Sequence, residues 1–113
     1  MFMIKTEKAG KVIIVSFIIS KLNAIVAEDV RNEISRLFEE PNSWVIINMS
    51  GVEYIDSTGF GSLLSILRSA KNNYGMVKIC CAGQRVQDLM ETLHLNSVFE
   101  LHSELDECIK SFH

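Results

Sequence analysis

The spacing of hydrophobic residues changes several times along the chain, and each change marks an element. Phe2 to Thr6 and Lys11 to Ile19 are rich in β-branched residues, and Lys8-Ala9-Gly10 joins them through so short a connection that an antiparallel hairpin is predicted. From Ala24 to Glu40 the apolar positions Ala27, Val30, Ile34, Leu37 and Phe38 recur with helical spacing. Glu28, Asp29, Arg31, Glu33 and Arg36 take the other face of this helix, and Pro41 stops it. Trp44 to Ile47 is a continuous apolar run, the pattern of an interior strand buried on both sides. After Asn48 to Asp56, a second helical pattern runs through Tyr74, with Phe60, Leu63, Leu64, Leu67, Ala70 and Tyr74 on one side. Gly75 falls where a left-handed C′ residue belongs, and Arg68 and Lys71 lie near the negative end of the dipole. Met76 to Ala82 predicts another strand, Val86, Leu89, Met90 and Leu93 a short helix, and Val98 to Leu101 an edge strand. Ser103-Glu104-Leu105-Asp106 opens a last helix with Leu105, Cys108, Ile109 and Phe112 inward.

The predicted order is therefore β-β-α-β-α-β-α-β-α. Strands separated by helices of this length run parallel through right-handed crossovers. An α/β fold is expected, with a mostly parallel sheet of four to five strands, an N-terminal antiparallel hairpin and about four helices.

Composition narrows the classes this fold can serve. About a third of the 113 residues are Ile, Val, Leu or Phe, well above the level at which disorder is expected. The expectation is a single domain over residues 1–113. Eleven basic and fourteen acidic residues leave a net charge of −3 with no basic cluster, which argues against direct nucleic-acid binding. The longest nearly apolar stretch, Val12 to Ile19, is far shorter than the roughly 20 residues of a membrane-spanning helix. The start has no basic segment leading into an apolar one, so no membrane insertion and a cytoplasmic location are expected. The cysteines, Cys80, Cys81 and Cys108, are odd in number and imply no disulfide framework; Cys80 and Cys81 are read as small apolar groups on opposite faces of a strand.

The most unusual segment is Tyr54-Ile55-Asp56-Ser57-Thr58-Gly59-Phe60-Gly61-Ser62, which joins a strand to a helix. Asp56 or Ser57 suits the N-cap, and two glycines in the first turn are an expense in helix stability of roughly 0.5–1 kcal/mol each. Either they clear space for another molecule over Ser57, or they serve tight helix-on-sheet packing. Catalytic patterns do not fit. Leu64 stands where a dinucleotide fingerprint needs its third glycine, no phosphate-binding lysine follows a glycine loop, and Ser57 is not flanked as a hydrolase nucleophile would be. His94, His102 and His113 all lie in the last 20 residues, none in metal-ligand spacing, and they read as surface or capping groups. No catalytic residue, metal or cofactor is expected, and the chain is not read as an enzyme.

The turn does suit a charge switch. A phosphate on Ser57 would add about −1.5 to −2 charge beside Asp56. The helix N-terminus offsets part of that repulsion, by about 0.3–1 kcal/mol. A partner covering the turn would have to bury the dianion, at a cost of several kcal/mol unless it supplied cations.

Asp56-Ser57-Thr58-Gly59-Phe60-Gly61, preceded by Ile46 to Ile55, resembles the signature of STAS domains and is most similar to bacterial anti-sigma factor antagonists. The likeness extends from the hairpin to the downstream stretch from Gly83 through Val86 to Met90. The resemblance implies a STAS-like fold and a partner-switching phosphoprotein that regulates transcription through protein–protein interaction. The unphosphorylated form would bind an anti-sigma factor that is also a serine kinase, releasing a sigma factor. Phosphorylation at Ser57, with Thr58 the secondary acceptor, would end that binding, and a PP2C-type phosphatase would restore it. Asn23, Asp56, Ser57, Thr58, Gly59, Phe60 and Gly61 would form the partner surface, Asp56 shaping the acceptor's surroundings and Gly59 permitting close approach by the kinase. One departure stands out: Ser20-Lys21-Leu22-Asn23 occupies the place of the Gly-x-[LI]-Asp element of many relatives. Asn23 either contacts the partner without the usual charge or caps the helix beginning near Ala24. The alternative function is a non-switching STAS adaptor subunit of a membrane transporter or signalling complex.

Overall fold

A computed structural model describes residues 2–113. Strands β1 (Ile4–Ala9) and β2 (Val12–Phe17) form the hairpin, turned at Gly10 with φ +63°. A two-residue loop that matches strand twist needs this positive φ, which glycine adopts without steric cost. The chain then runs through β3 (Lys21–Leu22), α1 (Ala27–Ser35), a 3-10 turn (Arg36–Glu39), β4 (Trp44–Asn48), β5 (Tyr54–Ile55) and α2 (Ser57–Asn72). It finishes with β6 (Met76–Cys80), α3 (Gln84–Thr92), a 3-10 turn (Leu95–Ser97), β7 (Leu101–His102) and α4 (Leu105–Lys110). The main sheet has the order β1-β2-β4-β6-β7, antiparallel between β1 and β2 and parallel elsewhere. Fold class, hairpin and sheet size agree with the sequence expectation.

β4 is the middle of the sheet, and Val45, Ile46 and Ile47 are fully buried on both faces. Val45 and Ile47 join Val15, Val77 and Ile79 against α1 and α2, whose inward residues include Val30, Ile34, Leu63 and Ile66. Ile46 faces the other way, with Val12, Ile14 and Cys80 against Cys108 and Phe112 near the chain's end. Trp44 stacks on Phe112 with ring centroids 5.5 Å apart. Alternate side chains of one strand therefore supply two cores.

Several expectations are corrected in detail. A second sheet, β3 paired in parallel with β5, was not foreseen, because two-residue strands carry no periodicity. The first helix starts at Ala27 instead of Ala24 and tightens into its 3-10 turn at Arg36. At the end of α2 the left-handed C′ residue is Tyr74, φ +58°, and Gly75 follows it. The Gly75 amide reaches the Ala70 carbonyl at 2.8 Å and the Tyr74 amide the Lys71 carbonyl at 3.4 Å, the bond pair of a Schellman ending. Gly75 is glycine for space: a Cβ there would sit 2.8 Å from Phe38 Cδ1 and 3.0 Å from the Ser43 carbonyl. β6 ends at Cys80, and Cys81 has φ +67°, so the two cysteines do not alternate across a sheet as read; their sulfurs are 2.8 Å apart. The predicted strand over Val98–Leu101 is displaced to Leu101–His102, since the Val98 and Phe99 amides close onto the Leu95 carbonyl.

Candidate functional site

The second sheet builds the site. Lys21 pairs with Tyr54 and Leu22 with Ile55, so the segment before α1 lies beside the segment before α2. The Glu53 amide donates to the Ser20 carbonyl at 2.7 Å and the Asp56 amide to the Leu22 carbonyl at 3.3 Å, extending the pairing at both ends. Residues more than thirty positions apart in sequence thus enter two helices from one ribbon.

Asp56 is the N-cap of α2, with φ −100° and ψ −179°. Its Oδ1 accepts from the Gly59 amide at 2.8 Å, satisfying one of the donors a helix start leaves unpaired. Its Oδ2 accepts from the Ala24 amide at 3.0 Å. One carboxylate therefore fixes both the first turn of α2 and the loop leading to α1. Asn23, next to that loop, uses its own Oδ1 to accept from the Ile25 amide at 3.1 Å, while its carbonyl accepts from Val26 and Ala27. It closes an Asx turn ahead of α1 and is not the helix N-cap, which is Val26 with no side-chain bond.

The residues named from sequence divide into two groups. Ser57, Thr58 and Gly61 are exposed, and Asp56 and Asn23 are half-buried. Gly59 and Phe60 are buried. A Cβ on Gly59 would overlap the Leu22 carbonyl oxygen and come within 3.0 Å of Leu22 Cγ. The space that Gly59 leaves faces this chain's own ribbon and not outward, so it does not open the turn to a partner as expected. At Gly61 nothing lies within 4 Å of a Cβ built there. Ser62 is turned inward, its hydroxyl donating to the Gly59 carbonyl at 2.6 Å.

An open groove of about 490 Å³ runs between α1 and α2 beside these exposed residues, lined by Ala27, Glu28, Arg31, Thr58, Gly61 and Ser65 among others. Glu28 and Arg31, one turn apart on its α1 wall, approach to 4.0 Å, a loose surface pair. Both were visible in the sequence as polar helix positions, but only the α1–α2 packing brings them to the site. On the other side of the ribbon, Lys21, Asn23, Glu53, Tyr54 and Arg85 line a second groove of about 400 Å³, with the Arg85 guanidinium 5.7 Å from the Tyr54 ring centre. None of the three histidines lines either groove. His102 pairs with Glu100 at 2.6 Å and His113 packs edge-on to Trp44. Among the described residues no His, Cys, Asp and Glu side chains gather in a metal-binding group, and no helix is long and apolar enough to cross a membrane.

Comparison with known proteins places this geometry in context. The family model of the STAS domain matches residues 3–108. An anti-sigma-factor antagonist (STAS) domain protein from Planctomyces limnophilus superposes with a TM-score of 0.86 at 18% identity, covering 96% of each chain. The Bacillus cell fate determinant SpoIIAA in its phosphorylated form gives 0.71 at 17% identity, covering 97% of this chain and 99% of that one. A sulfate transporter family protein from Wolinella succinogenes gives 0.73 at 18% identity, covering 85% and 80%. At such identities the likeness to solved structures is one of fold.

Proposed function

The chain belongs to the STAS domain family, and from that premise we propose that it is an anti-sigma factor antagonist of the partner-switching kind, with Ser57 as its phosphoacceptor. The observation that carries this reading is the position of Ser57. It is exposed at the first residue of α2, beside an open groove, on a turn whose shape Asp56 holds without help from the serine hydroxyl. The acceptor is thus free to be modified while the turn keeps its form.

In the unphosphorylated state, Ser57, Thr58 and Gly61 together with the α1–α2 groove receive an anti-sigma factor that is also a serine kinase, and its sigma factor is released. The kinase brings ATP and magnesium; this chain supplies the hydroxyl. The Ser57 oxygen takes the γ-phosphoryl group, the bond to the β-phosphate oxygen breaks, and a base of the kinase takes the hydroxyl proton. The product carries about −1.5 to −2 charge next to Asp56, at a helix N-terminus that tolerates it. The chain keeps its fold, and the partner now has to desolvate a dianion, so the complex weakens by roughly a hundredfold for each few kcal/mol of that cost. A PP2C-type phosphatase resets the cycle, and the whole exchange takes place in the cytoplasm without contact to DNA.

A second reading has one specific support, the likeness to the Wolinella sulfate transporter family protein: a non-switching adaptor attached to a membrane complex. Co-purification separates the two. Capture of a soluble kinase-like ATPase, followed by phosphorylation with magnesium ATP at Ser57, supports the switch. Capture of a membrane-complex subunit, or phosphate only at residues other than Ser57 and Thr58, overturns it.

A further inference from the structure

Away from the Ser57 turn, the described structure gathers all three cysteines at the C-terminal end of β6. Cys80 and Cys108 are fully buried, whereas Cys81 is only half-buried. The Cys81 sulfur lies 2.8 Å from the Cys80 sulfur, against about 2.05 Å in a disulfide. Cys80 and Cys108 belong to the same buried cluster. Charged groups adjoin this apolar cluster. The Lys78 ammonium is buried nearby, 3.0 Å from Glu100 Oε2, and the same carboxylate oxygen is 2.6 Å from His102 Nε2. A cavity of about 200 Å³ lined by Cys80, Ala82, Gln87, Glu91 and His102 reaches the Cys80 side of this cluster. It has room for a molecule the size of hydrogen peroxide.

Cys80, followed by His102 and Lys78, holds the Cys108 thiol below its ordinary range. Cys108 and burial push Cys80 up. A thiolate is the reactive form of cysteine and is favoured beside cationic groups.

We propose that Cys80 and Cys81 are a reversible oxidation site, which hydrogen peroxide or a small hydroperoxide closes into a disulfide between adjacent residues. In the first step the Cys81 thiolate attacks one peroxide oxygen; a sulfur–oxygen bond forms, the oxygen–oxygen bond breaks and hydroxide leaves, taking up the proton that Cys81 released. Cys81 is then a sulfenic acid. In the second step the Cys80 sulfur attacks the Cys81 sulfur and gives up its proton. The sulfur–sulfur bond forms, the sulfur–oxygen bond breaks, and the departing hydroxide becomes water with the proton released by Cys80. Two thiols have been oxidised by two electrons and one peroxide reduced to two waters. Adjacent Cα atoms are about 3.8 Å apart across a trans peptide, below the roughly 4.4–6.8 Å that disulfides usually span. The bond is accordingly strained and easily reduced, which suits a reversible modification.

Trypsin makes the pairing readable, because Lys78, Arg85 and Lys110 put Cys80 and Cys81 together on Ile79–Arg85 and Cys108 alone on Val86–Lys110. The full chain is treated with graded hydrogen peroxide, denatured, alkylated and digested, with oxidation of the exposed Met76 as the internal measure of dose. The expected result is an Ile79–Arg85 peptide that loses both alkyl groups and two hydrogens, while Cys108 stays alkylatable and dithiothreitol restores both thiols. A cross-link between the two peptides, a Cys81-linked dimer, Cys81 stopping at sulfinic acid, or two alkylatable thiols after Met76 is oxidised would each overturn the proposal.

Discussion

The Asp56 carboxylate accepts the Ala24 amide at 3.0 Å across 32 residues of sequence, and with its other oxygen it accepts the Gly59 amide at 2.8 Å. The cap of α2 is thus also the clasp of the loop before α1. Asp56→Ala removes both bonds at once, leaving two amides without their acceptor. A lost cap costs about 0.5–2 kcal/mol and a second hydrogen bond about 1 kcal/mol. The expected loss is roughly 1.5–3 kcal/mol in urea unfolding. Ser57→Ala should stay within about 0.5 kcal/mol, because the exposed serine is not the cap. Equal losses for the two variants would show that the serine side chain carries part of the turn.

The two glycines of the turn have opposite roles, and alanine substitution distinguishes them. At Gly59 a methyl group meets the backbone carbonyl of Leu22, which cannot rotate away. Gly59→Ala should cost about 3 kcal/mol or more, the upper end of the range for overpacking, and should disturb the β3–β5 pairing seen by amide exchange. At Gly61 the same methyl enters open space. Gly61→Ala should leave stability unchanged or raise it by up to about 1 kcal/mol, the helix-propensity gain. Similar thermal midpoints for the two variants would contradict the assigned packing.

This pair marks how far the site was legible in sequence. The glycines and the acidic cap announced an unusual turn, since each works against helix propensity and needs a reason. Which glycine faces inward could not be read, because the answer depends on Leu22, and Leu22 reaches the turn only through β3 and β5. Two-residue strands leave no alternation to detect. By contrast, β4 was plain, because its side chains are sorted by burial; on α2 the inward Phe60, Leu63 and Ala70 were legible, but Leu64 and Tyr74, read on the same side, are exposed, and the buried Ile66 was missed. Tyr74 in the left-handed position was hidden for a third reason: hydrogen bonds and packing around Gly75 outweigh the usual preference for glycine at that site.

Lys78 interrupts an otherwise apolar strand, and the groups around it make stability depend on pH. Its ammonium is 3.0 Å from both Glu100 Oε2 and the Ser111 carbonyl and 2.8 Å from Ser111 Oγ. The hydrogen bond from His102, followed by that from Lys78, lowers the Glu100 carboxyl below its ordinary 4.5. A carboxylate with a depressed folded pKa contributes stability that is present above the unfolded value and lost as pH falls through the folded one. The wild-type urea midpoint should therefore drop between about pH 5 and pH 3, more steeply than in Glu100→Gln, which has no carboxylate to protonate there. Parallel pH profiles would remove Glu100 from the account of acid sensitivity. Because Glu100 is half-exposed, the difference is expected to be modest and to shrink in salt.

The proposed charge switch at Ser57 makes a prediction that separates interface from fold. Ser57→Asp places one negative charge at the first residue of α2, where the dipole favours it by about 0.3–1 kcal/mol. The variant should therefore unfold at the wild-type urea concentration or slightly above it. Binding to the anti-sigma factor should weaken by about tenfold or more, since burying even one uncompensated charge costs upward of 1.4 kcal/mol. Ser57→Ala should bind as the unphosphorylated wild type does and resist the kinase. Titration calorimetry and urea unfolding on the same three proteins provide the comparison. If Ser57→Asp lost affinity only in proportion to a loss of stability, the serine would be acting through the fold. Unchanged affinity with unchanged stability would remove the turn from the partner interface altogether.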